Sequence, residues 1–221
     1  MKPTSQQEEN LRTYLRNELL YRETYEEVYD HILTALEQKP QDISFQDSVN
    51  QIIKDDFGGG QDLVEMEKKC YKLASDEAIS QQWNYFKSNF KFPKLIYTLI
   101  LFLTIYLIVS KIAHASFIIS FLVFTGFVVP GILILLRYFN VGYYTLDTKK
   151  SIKDNIMRKI AYLFYQVILF PLMLLLNHKK YIDSFIIDHT IIIDLGITVL
   201  ILYILSFIKL SRDEFKVYIT R

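Results

Sequence analysis

Cysteine is nearly absent: Cys70 stands alone among 221 residues, so no internal disulfide framework can form. That fits a reducing, cytoplasmic setting for the front of the chain. Also missing is an apolar core within the first 30 residues, which are polar and charged and read as no signal peptide. Several catalytic signatures are lacking. Gly58–Gly60 is not followed by the Lys-Ser/Thr of a phosphate-binding loop, and neither Gly-x-Ser-x-Gly nor His-Glu-x-x-His occurs. No His-x-x-x-His or Cys-x-x-Cys pair supplies a zinc-ligand set. The expectation is a protein without catalytic residues, cofactor or metal.

What is present divides in two. Half of the residues are hydrophobic (51%) and 15% are aromatic. The net charge of +1 conceals an asymmetry. Residues 1–90 carry 17 acidic and 10 basic side chains, and residues 91–221 carry 7 and 15. Such a division places the two parts in different environments. The acidic front disfavours nucleic acid, because its surface repels phosphate.

The rear holds four apolar runs, at about 94–112, 115–137, 160–177 and 190–210. Each is near the ~20 residues that a helix needs to cross the hydrocarbon core. Lys and Arg set the orientation. Lys87, Lys91, Lys94, Arg137, Lys149, Lys150, Lys153, Arg158, Lys159, Lys209, Arg212, Lys216 and Arg221 fall on one side. Lys111, Lys179 and Lys180 fall on the other, thirteen against three. The expected topology is four spans with both termini cytoplasmic and very short outer connections. The expected organisation is a cytosolic helical module over 1–75, a helical linker over 76–93, a transmembrane domain over 94–210 and a cytosolic tail over 211–221.

Helical stripes mark the module. Leu11, Leu15 and Leu19, with Tyr14 beside them, make the first. Tyr25, Val28, Tyr29, Ile32 and Leu36 make the second, which Lys39-Pro40 ends. Ser44, followed three residues later by Asp47, reads as the cap of a third helix carrying Phe45, Val49, Ile52, Ile53 and Phe57. Gly58–Gly60 stops it. A fourth helix is expected from near Asp62, with Leu63, Met66, Cys70 and Leu73 as its stripe, so that Cys70 is a small core residue. The stripe resumes as Ile79, Trp83, Phe86 and Phe90, in one long helix bent near Ser75 and broken or kinked at Pro93. The fold class is therefore all-α: an N-terminal cytosolic bundle of three to four helices, joined by a long helix to a four-helix transmembrane bundle.

The run from Leu15 through Gln38, with Ile43 to Gly60, resembles the HAAS-type domain of bacterial membrane proteins. Glu26, Glu27, Asp30 and His31 match that family's acidic second helix. Ser44, Phe45, Asp47 and Ser48 match the start of its third, and Phe57-Gly58 match its end. The resemblance covers about residues 8–70. It departs at Ser48, where the family usually has alanine, and in the lack of a proline after the glycine turn. It implies a small cytosolic helical module ahead of several spans in the bacterial cytoplasmic membrane. It also implies a sensing or signalling role of proteins often encoded beside PadR-like transcription regulators. No catalytic residues come with it.

Several residues are candidates for chemistry or contact. His31 lies one turn after Glu27, which suits a metal or proton site or simply a partly solvated histidine. Glu26, Glu27, Asp30 and His31 form a candidate partner surface. Asp194 lies inside the fourth apolar run, where an acid at the helix centre costs ~2.5–3.5 kcal/mol. It reads as a proton or cation relay, together with Asp188, His189 and Gln166, or as an interfacial acid if the span begins at Leu195. Gln166 is expected to hydrogen-bond another helix. Pro130-Gly131 and Pro171 are expected to kink their spans. Residues 149–159 read as a short helix capped by Asp147 or Thr148. Its Lys149, Lys150, Lys153, Arg158 and Lys159 are expected to bind anionic lipid, dock the acidic module, or only set topology.

Three functions follow as expectations: a membrane signalling or regulatory adaptor whose acidic module binds a protein, a small transporter acting as an oligomer, and a structural subunit of a membrane complex. The partners expected are membrane lipids, a cytosolic or membrane protein and, for the transporter reading, further copies of this chain.

Overall fold

The structure is a computed structural model that describes residues 2–40, 42–111, 120–121, 124–141, 150–164, 166 and 190–214. Among them lie eight α-helices and no strand. The helices are α1 (Ser5–Glu18), α2 (Arg22–Glu37), α3 (Phe45–Phe57), α4 (Gly60–Ser88), α5 (Lys94–Lys111), α6 (Val129–Val141), α7 (Ile152–Phe164) and α8 (Thr190–Glu214). The chain divides into two compact units. The first comprises Met1–Asp76 with Thr145–Asn155, and the second Glu77–Tyr144 with Ile156–Arg221.

In the first unit the expected stripes are the core. Leu11, Leu15 and Leu19 meet Val28, Tyr29, Ile32 and Leu36, and Val49, Ile52, Ile53 and Leu63 complete the cluster. Tyr25, Phe45, Phe57 and Met66 are partly buried against it. Its helices are closed by local chemistry. Thr4 caps α1 in a capping box with Gln7. The Ser44 hydroxyl accepts from the Asp47 N–H at 3.1 Å at the start of α3. At the end of α3, Gly58 takes φ +82°, and the N–H groups of Gly58 and Gly59 bond back to the carbonyls of Lys54 and Ile53. That left-handed step needs glycine, since a Cβ there costs free energy at the following carbonyl.

The fourth helix departs from the sequence reading. It starts at Gly60 and ends at Ser88, five residues short of Pro93. Its buried line is not the one expected. Leu63 is buried and Met66 half-buried, but Cys70 and Leu73 are exposed, and the inward positions are Glu67, Ser75, Ala78 and Gln82. The aliphatic spacing ran one way and the packing another, because buried polar side chains hold the true inner line through hydrogen bonds.

In the second unit α8 is the central helix and contacts both α5 and α6. Ile105 and Val109 of α5 pack with Ile197 of α8, flanked by Leu101, Ile193 and Ile201. The hydroxyl of Tyr203 donates to the Ile160 carbonyl of α7 at 2.8 Å. The ends of the two apolar helices are pinned together. Asn89 donates to the Ser206 hydroxyl at 3.1 Å, and the Thr98 hydroxyl donates to the Asn89 carbonyl at 2.8 Å. Gln82 reaches the Tyr203 carbonyl at 3.3 Å.

Among the described residues two helices, α5 of 18 residues and α8 of 25, are long and apolar enough to cross a membrane by length and composition. At 1.5 Å per residue they run about 27 and 37 Å. The described apolar stretch Phe124–Phe139 is shorter than these two. It opens as a π-helical turn, Phe124–Val128, directly before Val129-Pro130. The irregularity thus sits where proline removes a backbone donor. Most of the third expected run, with Pro171, lies outside the described residues.

Replacing Gly58 by alanine is expected to weaken the end of α3. Its Cβ would stand 2.6 Å from the Asp62 carboxylate, on a backbone that side chains avoid. We expect a loss of about 1–2 kcal/mol, read as faster amide exchange at Gly58 and Gly59 with α1 unchanged.

Candidate functional site

The turn between α1 and α2 has no side-chain cap of its own: Tyr21, the N-cap of α2, makes no capping bond. A buried acid from elsewhere supplies it. Glu67 of α4 is 1% exposed. Its two oxygens accept the Leu20 N–H at 2.9 and 3.0 Å, and one also accepts the Tyr21 N–H at 2.9 Å. A carboxylate there satisfies orphan donors at the positive end of the α2 dipole. Charge-assisted bonds of this kind are the stronger sort.

One residue further on, α2 performs the same service for α7. The carboxylate of Glu23 accepts the Ile152 N–H at 2.9 Å and also the Ser151 hydroxyl. The Arg22 N–H donates to the Lys150 carbonyl at 3.0 Å, and Asn155 donates to the Tyr21 hydroxyl at 3.0 Å. Tyr21 also stacks on Tyr71 of α4, with centroids 5.3 Å apart. Burial pushes the Tyr21 hydroxyl up from its ordinary range, against the bond from Asn155, so it stays a neutral phenol at physiological pH. Residues Leu20–Glu23 are thus a junction at which Glu67 of α4 and the first turn of α7 both meet the start of α2.

This places the expected basic segment. The helix begins at Ile152, and Glu23 accepts its first N–H; Asp147, Thr148 and Lys149 lie outside the described residues. The segment does meet the acidic unit, but through backbone and a cap. The Lys150, Lys153, Arg158 and Lys159 side chains are exposed. Sequence reasoning missed Glu67 and Glu23. The available signal for Glu67 was an acid one turn after Leu63, where a helical stripe calls for an apolar residue.

The acidic face of α2 stands as expected: Glu26, Glu27, Asp30 and His31 are exposed. Glu26 pairs with Arg22 at 3.7 Å. The partner of His31 is Asp56 of α3, at 2.8 Å, and its ring meets Phe57 edge-on. No cluster able to hold a metal ion occurs among the described residues.

Asp194 is fully buried, and neither carboxylate oxygen has a hydrogen-bond partner among the described residues. The Thr198 hydroxyl, one turn on, is buried and likewise without a partner among the described residues. Gln166 is exposed, and no bond joins it to Asp194 among the described residues. Asp188 and His189 lie outside them. Comparison of the chain with protein-family models, curated proteins and solved structures finds no match.

Glu67→Ala is expected to remove bonds to a charged acceptor worth about 1.5–3 kcal/mol. Amide exchange at Leu20 and Tyr21 should accelerate while α3 stays protected. Glu23→Ala is expected to cost about 1 kcal/mol as a lost cap, with faster exchange confined to Ile152–Asn155. If Glu23→Ala instead loosened α1 and α3, the cap would not be the local contact described.

Proposed function

We propose that this protein is an integral membrane signalling or regulatory adaptor, anchored by four spans in the bacterial cytoplasmic membrane with both termini cytoplasmic. Its acidic helical module, of HAAS type, binds a protein partner through Glu26, Glu27, Asp30 and His31. No catalytic step belongs to this reading. The observation that carries it is the junction at Leu20–Glu23. There, bonds from Glu67 and Glu23 tie α2, the helix bearing the acidic face, to α4 and to the start of α7. Both of those helices have residues in each unit, so a displacement along either one loads the bonds that hold α2. A partner surface set on that helix is well suited to report such a displacement.

A second reading rests on Asp194 and Thr198. A buried carboxylate with no donor among the described residues is suited to take a proton or a cation, and intramembrane acids mark such paths. This supports a small transporter acting as an oligomer. The structural-subunit reading needs neither feature.

The test is cross-linked affinity purification of the full chain from its native membrane, beside the variant Glu26→Lys/Glu27→Lys/Asp30→Lys and beside Asp194→Asn. We expect one stoichiometric protein with the wild type, its loss with the triple variant at unchanged helicity, and its retention with Asp194→Asn. Recovery of this chain alone from all three would reject the adaptor reading. Ion-driven transport that collapses in Asp194→Asn would establish the second.

A further inference from the structure

The second half of α4 and the turn after it carry an aromatic stripe that the protein leaves largely uncovered. Ile79, Trp83, Phe86 and Phe90 recur at helical spacing, and Ile79, Trp83 and Phe90 are 38%, 50% and 45% exposed. They flank the buried Ala78 and Gln82 and the half-buried Asn89, and the last two bond to α8. Trp83 stacks on Phe86 at 5.1 Å, and Phe86 meets Phe90 at 5.4 Å. The stripe runs on through Phe92, 80% exposed, to the uncovered Leu95, Ile96 and Tyr97 of α5. Three lysines border it. Lys87 lies over the Trp83 ring at 5.7 Å, Lys91 is in the turn, and Lys94 opens α5. None of them pairs with an acid among the described residues.

The position along the apolar helices identifies the occupant. Asn89 ties the start of α5 to Ser206 of α8. The basic ends of both helices, with Lys91 and Lys94 on one and Lys209 and Arg212 on the other, therefore meet at the end of α4. Aromatic rings with lysines at the basic end of apolar helices are the composition of a membrane interface. An amphipathic helix of this kind lies in the headgroup layer. We propose that residues 79–94 form an interfacial site for the anionic lipids of the cytoplasmic leaflet. Trp83, Phe86, Phe90 and Phe92 enter the upper acyl region, and Lys87, Lys91 and Lys94 hold the headgroup phosphates. This rests on the membrane reading of α5 and α8 and is independent of the adaptor reading.

Trp83 is the only tryptophan in the chain, so its fluorescence reports this stripe alone. The full chain is reconstituted in vesicles of phosphatidylcholine and phosphatidylglycerol in equal parts, with bromine placed on one lipid at a time. Flotation with the vesicles is scored first, and a chain that does not float overturns the proposal together with the membrane reading. Bromines high on the acyl chain are expected to quench Trp83 more than bromines near its end. Brominated phosphatidylglycerol is expected to quench more than brominated phosphatidylcholine, by up to roughly fivefold per lysine. Added salt should bring that ratio to one in the wild type, as should Lys87→Gln/Lys91→Gln/Lys94→Gln. Quenching by aqueous iodide but by no brominated lipid would place the stripe in water and overturn the proposal. Protection from both would assign it to a protein neighbour and overturn it equally. So would equal quenching by the two lipids.

Discussion

A single buried carboxylate organises the first unit. Glu67 sits where α1 stops and α2 has yet to begin, and it takes up N–H groups that neither helix can satisfy. Burying an acid is costly unless its oxygens are engaged. Here they are engaged by backbone, so the acid is stable only with the α1–α2 turn in place. The dependence also runs the other way: Tyr21, held by that acid, stacks on Tyr71 and accepts from Asn155, and Glu23 closes the first turn of α7. The apolar core from Leu11 to Leu63 gives the unit cohesion. The carboxylates fix which helix ends meet.

The second unit follows a different economy of contacts. Its central helix, α8, buries residues along much of its length, whereas α5 leaves Leu99, Ile100, Leu103, Leu107 and Ile108 uncovered. Uncovered aliphatic side chains on a long apolar helix are what a lipid environment accommodates. Between α5 and α8 the packing is aliphatic, through Ile105, Val109 and Ile197, and the polar contacts gather at Gln82, Asn89, Thr98, Tyr203 and Ser206. In an apolar surrounding such bonds have no competitor in water, which makes them the specific element of an otherwise nondirectional interface.

Much of the architecture could be read from spacing. The stripes through Leu11, Val28 and Val49 recur at three and four, and that period alone predicts the face each helix buries. Ser44 and Gly58 announce the ends of α3 because capping and left-handed backbone are local chemistry. The reading failed along α4. Cys70 and Leu73 continued an aliphatic pattern and are exposed, while Glu67 and Gln82, which no hydrophobicity scale places inside, are buried. Partners 47 and 121 positions away in sequence decide those two residues.

By itself the sequence determined the all-helical class, the division between an acidic front and an apolar rear, the stripes of the first three helices and the two long apolar helices. All of these follow from composition and short-range periodicity, which act over one or two turns. Only the tertiary structure decided that Glu67 closes a distant turn, that Glu23 caps α7, that Asp194 is buried and that Trp83 faces outward. Each of these depends on which side chain arrives beside another from far along the chain, and a helical period carries no information about that arrival.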